Sequence, residues 1–272
     1  MNEIKPGIYR HFKGNKYEVL SVAKHSETLE EMVVYRALYG EGGIWVRPLS
    51  MWNEIVERDG KRQPRFEYIG EFRKMTREEV SGWYTGDFAM AFAENERKPL
   101  TDIFTLIDEG RYELWGLFET DAEAEGDAES RLIAYAALWK RAGIPLVLLD
   151  YLGVTESRRN DGLGAALLKL LKGKGFPIVT ESELPVAGGE PEENAIRERR
   201  MDFYSRNGFT PAYEMATCGM RWQAYLTGAE AFDLGDIMAW HKALYGPERT
   251  DVVVPLGKDE TPQMPYWMKG KE

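Results

Sequence analysis

Apolar and polar residues alternate at period two through residues 16–23, 32–39 and 43–48, with Gly, Pro and charged residues between the stretches. This alternation predicts short, half-buried strands. Three to five such strands over residues 5–70 predict a small barrel of SH3 type, and residues 70–75 read as a linker or as the first strand of a second domain. The period then becomes helical over residues 76–93, where Thr76 and Glu79 have capping-box spacing. A polar break at residues 94–99 precedes a second short helix over 100–109, stopped by Gly110. Residues 112–119 and 131–140 read as the two strands of a hairpin. The tip between them, residues 121–129, alternates acids with small residues and lacks the pattern of a calcium loop. Residues 147–154 form an apolar run with one polar interruption, as in a strand buried on both faces. A leucine-rich amphipathic segment comes next, then a strand over residues 178–184, a polar loop over 187–193, a helix over 194–207 closed by Gly208, and a strand pair over 212–226. A last helix spans residues 235–245, ahead of an irregular tail.

Alternating strands and helices that begin with a hairpin predict an α/β (α+β) mixed central sheet with helices on both faces, preceded by a small β-barrel-like domain. The implied organisation is a small domain over residues 1–70, a larger one over 71–228 and an extension over 229–272. Composition adds limits to this picture. In 272 residues, 43% are apolar and 29% charged, as in an ordinary globular chain. The net charge of -10 argues against a general nucleic-acid or membrane-surface binder, and the acidity lies beyond residue 70, because residues 1–70 carry 11 Lys/Arg against 10 Asp/Glu. The single cysteine, Cys218, excludes an intrachain disulfide and a cysteine-based metal cluster, so no metal site is expected. Without a signal-like apolar segment or a membrane-length run, a cytoplasmic protein is expected.

The most informative chemistry lies where the buried strand gives way to the leucine-rich helix. Gly162 and Gly164 precede Leu163, Leu167, Leu168, Leu170 and Leu171 in a strand–turn–helix. The N–H groups of a first helical turn have no intrahelical acceptor, and the helix dipole favours an anion there. A Walker loop is excluded because Gly164-Ala165-Ala166 lacks Lys and a hydroxyl, and a dinucleotide fingerprint is excluded because Leu167 stands where its third glycine belongs. What remains is Arg159-x-x-Gly162-x-Gly164 directly after residues 151–154, YLGV. This resembles the pyrophosphate-binding motif of the GNAT superfamily of N-acetyltransferases. The resemblance extends to residues 200–209, RMDFYSRNGF, whose Tyr204, Gly208 and Phe209 match Tyr-x-x-x-Gly-Phe. It also extends to a bacterial subgroup with ERKP, YLGV, ExExP and RxxFY segments, found here in order at residues 94–99, 151–154, 181–185 and 200–204. It covers roughly residues 72–226.

The resemblance implies an acetyl-coenzyme A (acetyl-CoA)-dependent N-acetyltransferase acting on the primary amine of a small molecule or peptide. It implies that Arg159, Asn160, Asp161, Gly162, Leu163, Gly164 and Ala165 hold the diphosphate, mainly through backbone N–H. It further implies a strand that splays from its neighbour, so that backbone near Leu152, Gly153 and Val154 pairs with pantetheine and polarises the thioester carbonyl. Many members place Asn seven residues before the tyrosine as a cofactor contact. Arg197 stands there, and Asn194 is the nearest substitute. For the base that deprotonates the amine, Glu181 and Glu183 lie two apart on a strand, with Asp150 as an alternative and Glu183 slightly favoured; the competing reading is a pair with Arg199 or Arg200. Tyr204 is expected to meet the departing thiolate. Proton donation from a tyrosine near pKa 10 to a thiol near 8.5 is uphill by roughly 2 kcal/mol, so a hydrogen bond serves as well as transfer.

Residues 6–14 (PGIYRHFKG), 25–29 (HSETL), 34–40 (VYRALYG) and 45–49 (WVRPL) resemble a bacterial domain-of-unknown-function family over most of residues 5–69. Tyr9, His11, His25, Tyr35, Arg36, Trp45 and Arg47 could form a ligand pocket there, but the simpler reading is an aromatic core covered by Arg and His. The extension after residue 229 leaves three roles open: covering an acceptor cleft, docking the small domain, or pairing subunits in a homodimer. A second functional class also fits the sequence, in which the larger domain binds coenzyme A without catalysis and the small domain recruits a partner.

Overall fold

A computed structural model describes residues 4–120 and 130–269 of the chain. In chain order its elements are β1 (Gly7–His11), β2 (Lys16–Lys24), β3 (Glu31–Ala37), β4 (Ile44–Pro48), α1 (Leu49–Trp52), β5 (Ile55–Arg58), β6 (Lys61–Pro64), β7 (Phe66–Lys74), α2 (Arg77–Trp83), α3 (Ala89–Ala91), α4 (Leu100–Asp108), β8 (Tyr112–Thr120), β9 (Ser130–Trp139), β10 (Val147–Val154), α5 (Leu163–Lys172), β11 (Ile178–Glu183), α6 (Pro191–Arg206), β12 (Thr210–Thr217), β13 (Met220–Thr227) and α7 (Leu234–Tyr245). The expected acidic tip, residues 121–129, lies outside the described residues. Packing divides the chain into two units that do not follow chain order. Met1–Lys74, Trp115–Tyr135 and Val154–Leu170 form one; Met75–Leu114, Ala136–Gly153 and Leu171–Glu272 form the other.

In the first unit β4, β3, β2, β1, β7 and β8 are neighbours in that order, and every adjacent pair is antiparallel. The core is aromatic: Tyr9, Val19, Val33, Tyr35, Trp52 and Phe66 are buried together, with the Trp52 and Phe66 rings stacked at 3.7 Å. His11 lies 4.9 Å from the Phe66 ring and the Arg47 guanidinium 5.8 Å from it, so Arg and His cover this core. Trp45 stands apart, 60% exposed on β4. The β5–β6 hairpin was not expected from alternation. Its strands are almost wholly exposed, and the two-residue turn Asp59-Gly60 is left-handed at both positions (φ 51° and 74°), the Asp-Gly signal of a tight hairpin. Residues 70–75 prove to belong to one long strand. β7 pairs with β1 from Phe66 to Gly70 and with β8 from Glu71 to Lys74. Where it changes partner, a Cβ on Gly70 would lie 2.1 Å from the Phe118 carbonyl oxygen.

In the second unit the order is β8, β9, β10, β11, β13, β12, with β10 and β11 parallel and β11, β13 and β12 antiparallel in turn. The capping box before α2 is formed: Glu79 N–H donates to Thr76 Oγ1 at 3.3 Å, and Thr76 N–H donates to Glu79 Oε2 at 2.7 Å. Helical geometry then breaks at Gly86. α6 begins at Pro191, earlier than the expected start at 194, because Pro191 suits a first helical position and Glu192 and Glu193 complement the dipole. The β12–β13 turn uses Cys218 and Gly219, both left-handed (φ 54° and 81°).

Register assigns the sheet faces in this unit. Glu181, Ala224 and Tyr213 are cross-strand partners on one face, where Tyr213 and Glu181 meet His241 of α7; Thr180 and Tyr225 share the other, where Tyr204 of α6 lies 5.9 Å from the Tyr225 ring. Helices therefore cover both faces. The C-terminal extension belongs to this packing. After α7, Val253 bridges to Ala216, Leu256 N–H donates to Glu214 O, and buried Arg249 and Asp251 hydrogen-bond to each other and to Thr217.

Gly70→Val forces a side chain into the β7–β8 backbone contact. It is expected to destabilise the protein by about 2 kcal/mol or more, read as a lower denaturant midpoint in equilibrium unfolding.

Candidate functional site

The second unit contains a parting of strands. The β10–β11 ladder runs from Val147↔Ile178 to Leu149↔Thr180, although β10 continues to Val154 and β11 to Glu183. Beyond Thr180, β11 stays in register with β13 through Glu183↔Trp222. The Thr180 hydroxyl donates to the Leu149 carbonyl at 3.0 Å, closing the ladder at its last pair. The stretch Asp150 to Gly153 is thus strand without its parallel partner, and it includes the predicted Leu152 and Gly153. Backbone groups in such a stretch are available to an extended ligand.

The turn over residues 94–99 is held against this part of β10. Lys98 Nζ donates to both carboxylate oxygens of Asp150, at 2.9 and 2.7 Å, with side chains only 5% and 7% exposed. The Tyr112 hydroxyl donates to the same carboxylate, and the Lys98 ammonium lies 4.6 Å from the Tyr151 ring and 4.9 Å from that of Trp139. Tyr151 also donates its hydroxyl to the Glu96 carbonyl at 2.6 Å. Glu96 therefore sits beside the parted strand. Burial first, and the Glu183 carboxylate second, push its carboxyl up to about 7, with Arg200 and Arg197 pulling the other way.

The carboxylates expected as bases have other partners. Glu183 accepts from Arg197 Nε at 2.9 Å and from Arg200 Nη1 at 2.7 Å, so both its oxygens are spent on guanidinium groups. Glu181 accepts from the Tyr245 hydroxyl at 2.8 Å, and His241 Nε2 lies 2.9 Å from its Oε1, outside good hydrogen-bond alignment. Asp150 is spent on Lys98 and Tyr112. Asn194 is engaged too: its amide exchanges two 2.9 Å hydrogen bonds with the backbone of Val186 and closes the loop before α6. Tyr204 is buried on the face opposite Glu181. Burial raises its hydroxyl above the ordinary value, while a hydrogen bond with Thr180, the last residue of the ladder, acts in the lowering direction.

The first unit holds the strand-to-helix corner. Val154 ends β10, and Asn160 and Gly162 are left-handed (φ 67° and 71°). The first bond of α5 runs from Ala166 N–H to Gly162 O, so the N–H groups of Leu163, Gly164 and Ala165 precede any intrahelical acceptor. Arg159, Asn160 and Gly162 are exposed, whereas Leu163 is buried and anchors the helix. The Asp161 carboxylate accepts from Arg158 Nε at 3.0 Å, and its carbonyl accepts from Lys16 Nζ. A Cβ on Gly162 would meet only that Lys16 ammonium, at 3.3 Å. The corner thus offers donor N–H groups, and a Lys16 ammonium is all that a Cβ on Gly162 would meet, a combination that suits an anion such as a diphosphate.

Glu96 is the residue that sequence reasoning missed. Its string resembled a motif, but nothing local separates it from Glu94, because tertiary burial sets its properties. Among the described residues, no three or more His, Cys, Asp or Glu side chains are grouped to hold a metal ion, and no helix is long and apolar enough to cross a membrane.

Comparison with known proteins bears on both parts of the chain. Residues 7–68 match the sequence model of a family described as a protein of unknown function, DUF1653. A DUF1653 protein from Bordetella bronchiseptica, whose structure is solved, is 44% identical, covering 25% of this chain and 91% of that one with a TM-score of 0.24. A protein from Bacteroides thetaiotaomicron described as an acetyltransferase of the GNAT family is 22% identical, covering 65% of this chain and 98% of that one, with a TM-score of 0.48. The ribosomal-protein-S18-alanine N-acetyltransferase of Escherichia coli is 15% identical, with coverage of 58% and 91% and a TM-score of 0.39. No curated protein matches the chain. The family match lies at residues 7–68, and the solved structures that resemble the chain include ones described as GNAT acetyltransferases.

Proposed function

We propose that this protein is an acetyl-CoA-dependent N-acetyltransferase whose acceptor is a primary amine. The observation that carries the reading is the parting of β10 from β11 after Leu149↔Thr180, beside a carboxyl poised near neutrality. Backbone of Leu152, Gly153 and Val154 would pair with the pantetheine arm, and N–H groups of Gly162, Leu163, Gly164 and Ala165 would hold the diphosphate. Bound acetyl-CoA would supply the acetyl thioester.

Glu96 is the proton acceptor in this reading, in preference to Glu183 and Glu181. A general base works best when its pKa lies near the working pH, and the other acids are committed to cations or hydroxyl donors. Glu96 would take the proton given up by the amine, and with acetyl-CoA bound the acetyl group would pass from sulfur to that nitrogen, the sulfur leaving as thiolate. Tyr204 serves that sulfur as a hydrogen-bond donor. Its raised pKa makes complete transfer to a thiolate costlier than the roughly 2 kcal/mol of the reference groups.

Calorimetry with acetyl-CoA, followed by thiol release over a panel of primary amines, tests the assignment. Uptake with release supports it, and no uptake sinks it. Uptake without release for any amine leaves a coenzyme A-binding adaptor instead.

Glu96→Gln is expected to lower kcat by about a hundredfold or more, and to abolish a rise in kcat/KM through about pH 7 that is expected of the wild type. The same group makes folding pH-dependent. Its folded pKa of about 7 exceeds the ordinary 4.5, so the folded state holds more protons between those values and stability falls as pH rises through them. Glu96→Gln should therefore melt higher than wild type at pH 8, with no such gain at pH 4. Tyr204→Phe is expected to reduce kcat by about tenfold with little change in KM, because its hydrogen bond strengthens only as charge develops on sulfur.

A further inference from the structure

Lys16 is oddly placed for a structural lysine. It lies on β2 opposite Arg10 of β1, and its ammonium reaches the corner before α5, 3.3 Å from where a Cβ on Gly162 would stand. Its hydrogen bond there goes to the neutral carbonyl of Asp161. The surrounding charges are already matched: Arg10 pairs with Glu67 at 2.9 Å, while Arg158 pairs with the Asp161 carboxylate at 3.0 Å and with Glu119. A cation at a helix N-terminus opposes the dipole, and half-burial adds a desolvation cost. Burial first, then Arg10 and Arg158, pull the Lys16 ammonium below its ordinary pKa, and Asp161 offsets this in part. Two of its three N–H donors remain for another acceptor. An anion at this corner would reverse each of these costs.

We propose that Lys16, from the stretch that matches DUF1653, is a phosphate-binding residue of the coenzyme A site, contacting a phosphate of the nucleotide half at the Asp161–Gly162 corner. This rests on the coenzyme A reading above. It gives the small β segment a direct part in cofactor recognition. The phosphate is either the diphosphate or the 3′-phosphate, two sources of one chemistry.

The test is calorimetry on the full-length protein with coenzyme A and with 3′-dephospho-coenzyme A, using wild type, Lys16→Met and Lys16→Arg. Losing a charge-assisted hydrogen bond should weaken coenzyme A binding by about ten- to a hundredfold in Lys16→Met. Lys16→Arg should stay within a few-fold of wild type. Added salt should weaken binding more steeply in wild type than in Lys16→Met. Equal losses for both ligands assign the contact to the diphosphate, and a loss confined to coenzyme A assigns it to the 3′-phosphate. Lys16→Met binding within twofold of a wild type that does bind coenzyme A overturns the inference and leaves the function intact. A lower melting temperature without ligand, no rescue by Lys16→Arg and an unchanged salt dependence make Lys16 a structural strap and overturn it too. A wild type that takes up no coenzyme A overturns both.

Discussion

A parallel ladder that stops while both its strands continue is the constraint on which the second unit depends. After Leu149↔Thr180, β11 keeps its partners on β13 and β10 goes on without it. Backbone left unpaired inside a fold is costly, so such a gap persists only where something else fixes the strands or where a ligand is meant to fill it. Here the ladder end is closed by the Thr180 hydroxyl on the Leu149 carbonyl. The next residue, Asp150, is clasped by Lys98. The two features sit one residue apart, so the strand is held rigid at the point where its pairing ends.

The Lys98–Asp150 pair makes more sense as a positioning device than as a source of stability. Desolvating two such charges can cancel their attraction, and a buried pair of this kind often contributes little net stability while fixing geometry. What it fixes is the turn over residues 94–99, and Tyr151 adds a second tie through the Glu96 carbonyl. The four acids near the parting then differ by partner alone. Asp150 meets an ammonium, Glu183 two guanidinium groups, and Glu181 a tyrosine hydroxyl and an imidazole. For Glu96 burial and the neighbouring negative charge of Glu183 favour the protonated form and outweigh the opposing pull of Arg200 and Arg197.

Elements whose burial is periodic were legible in the sequence. The helices with Thr76 and Gly110 at their boundaries and the leucine-lined α5 announce themselves by one buried face and an end signal, and the strand over residues 147–154 by its continuous apolar run. The β5–β6 hairpin did not, because strands exposed on both sides have no apolar alternation to read. The start of α6 was misjudged where Pro191 came after a polar loop, and there the useful signal was the proline and not hydrophobicity. Of the candidate site, the turn over residues 160–165 was legible as backbone, because glycine spacing is itself a backbone statement. The hydrogen-bond partners of Glu181, Glu183 and Asn194 were not. Register does place Glu181 and Glu183 on one strand face, yet which helix supplies each partner is decided by tertiary packing.

The division of the chain explains why the small β segment is no detachable appendage. Residues 154–170, which include the corner and most of α5, pack with Met1–Lys74. Two lysines tie them, Lys16 to the Asp161 carbonyl and Lys169 to the Gly40 carbonyl at 2.7 Å. Partly exposed polar ties of this sort contribute on the order of 1 kcal/mol each, too little to hold a segment in place alone. They orient it, while burial of Leu163, Ala166, Leu167 and Leu170 along one side of α5 supplies the larger share of stability. Gly42 shows how tight the second tie is, since a Cβ there would lie 2.7 Å from Lys169 Cε. A corner positioned by another segment's lysine takes part of its shape from that segment, so a change at Lys16 is felt first at the Asp161–Gly162 backbone.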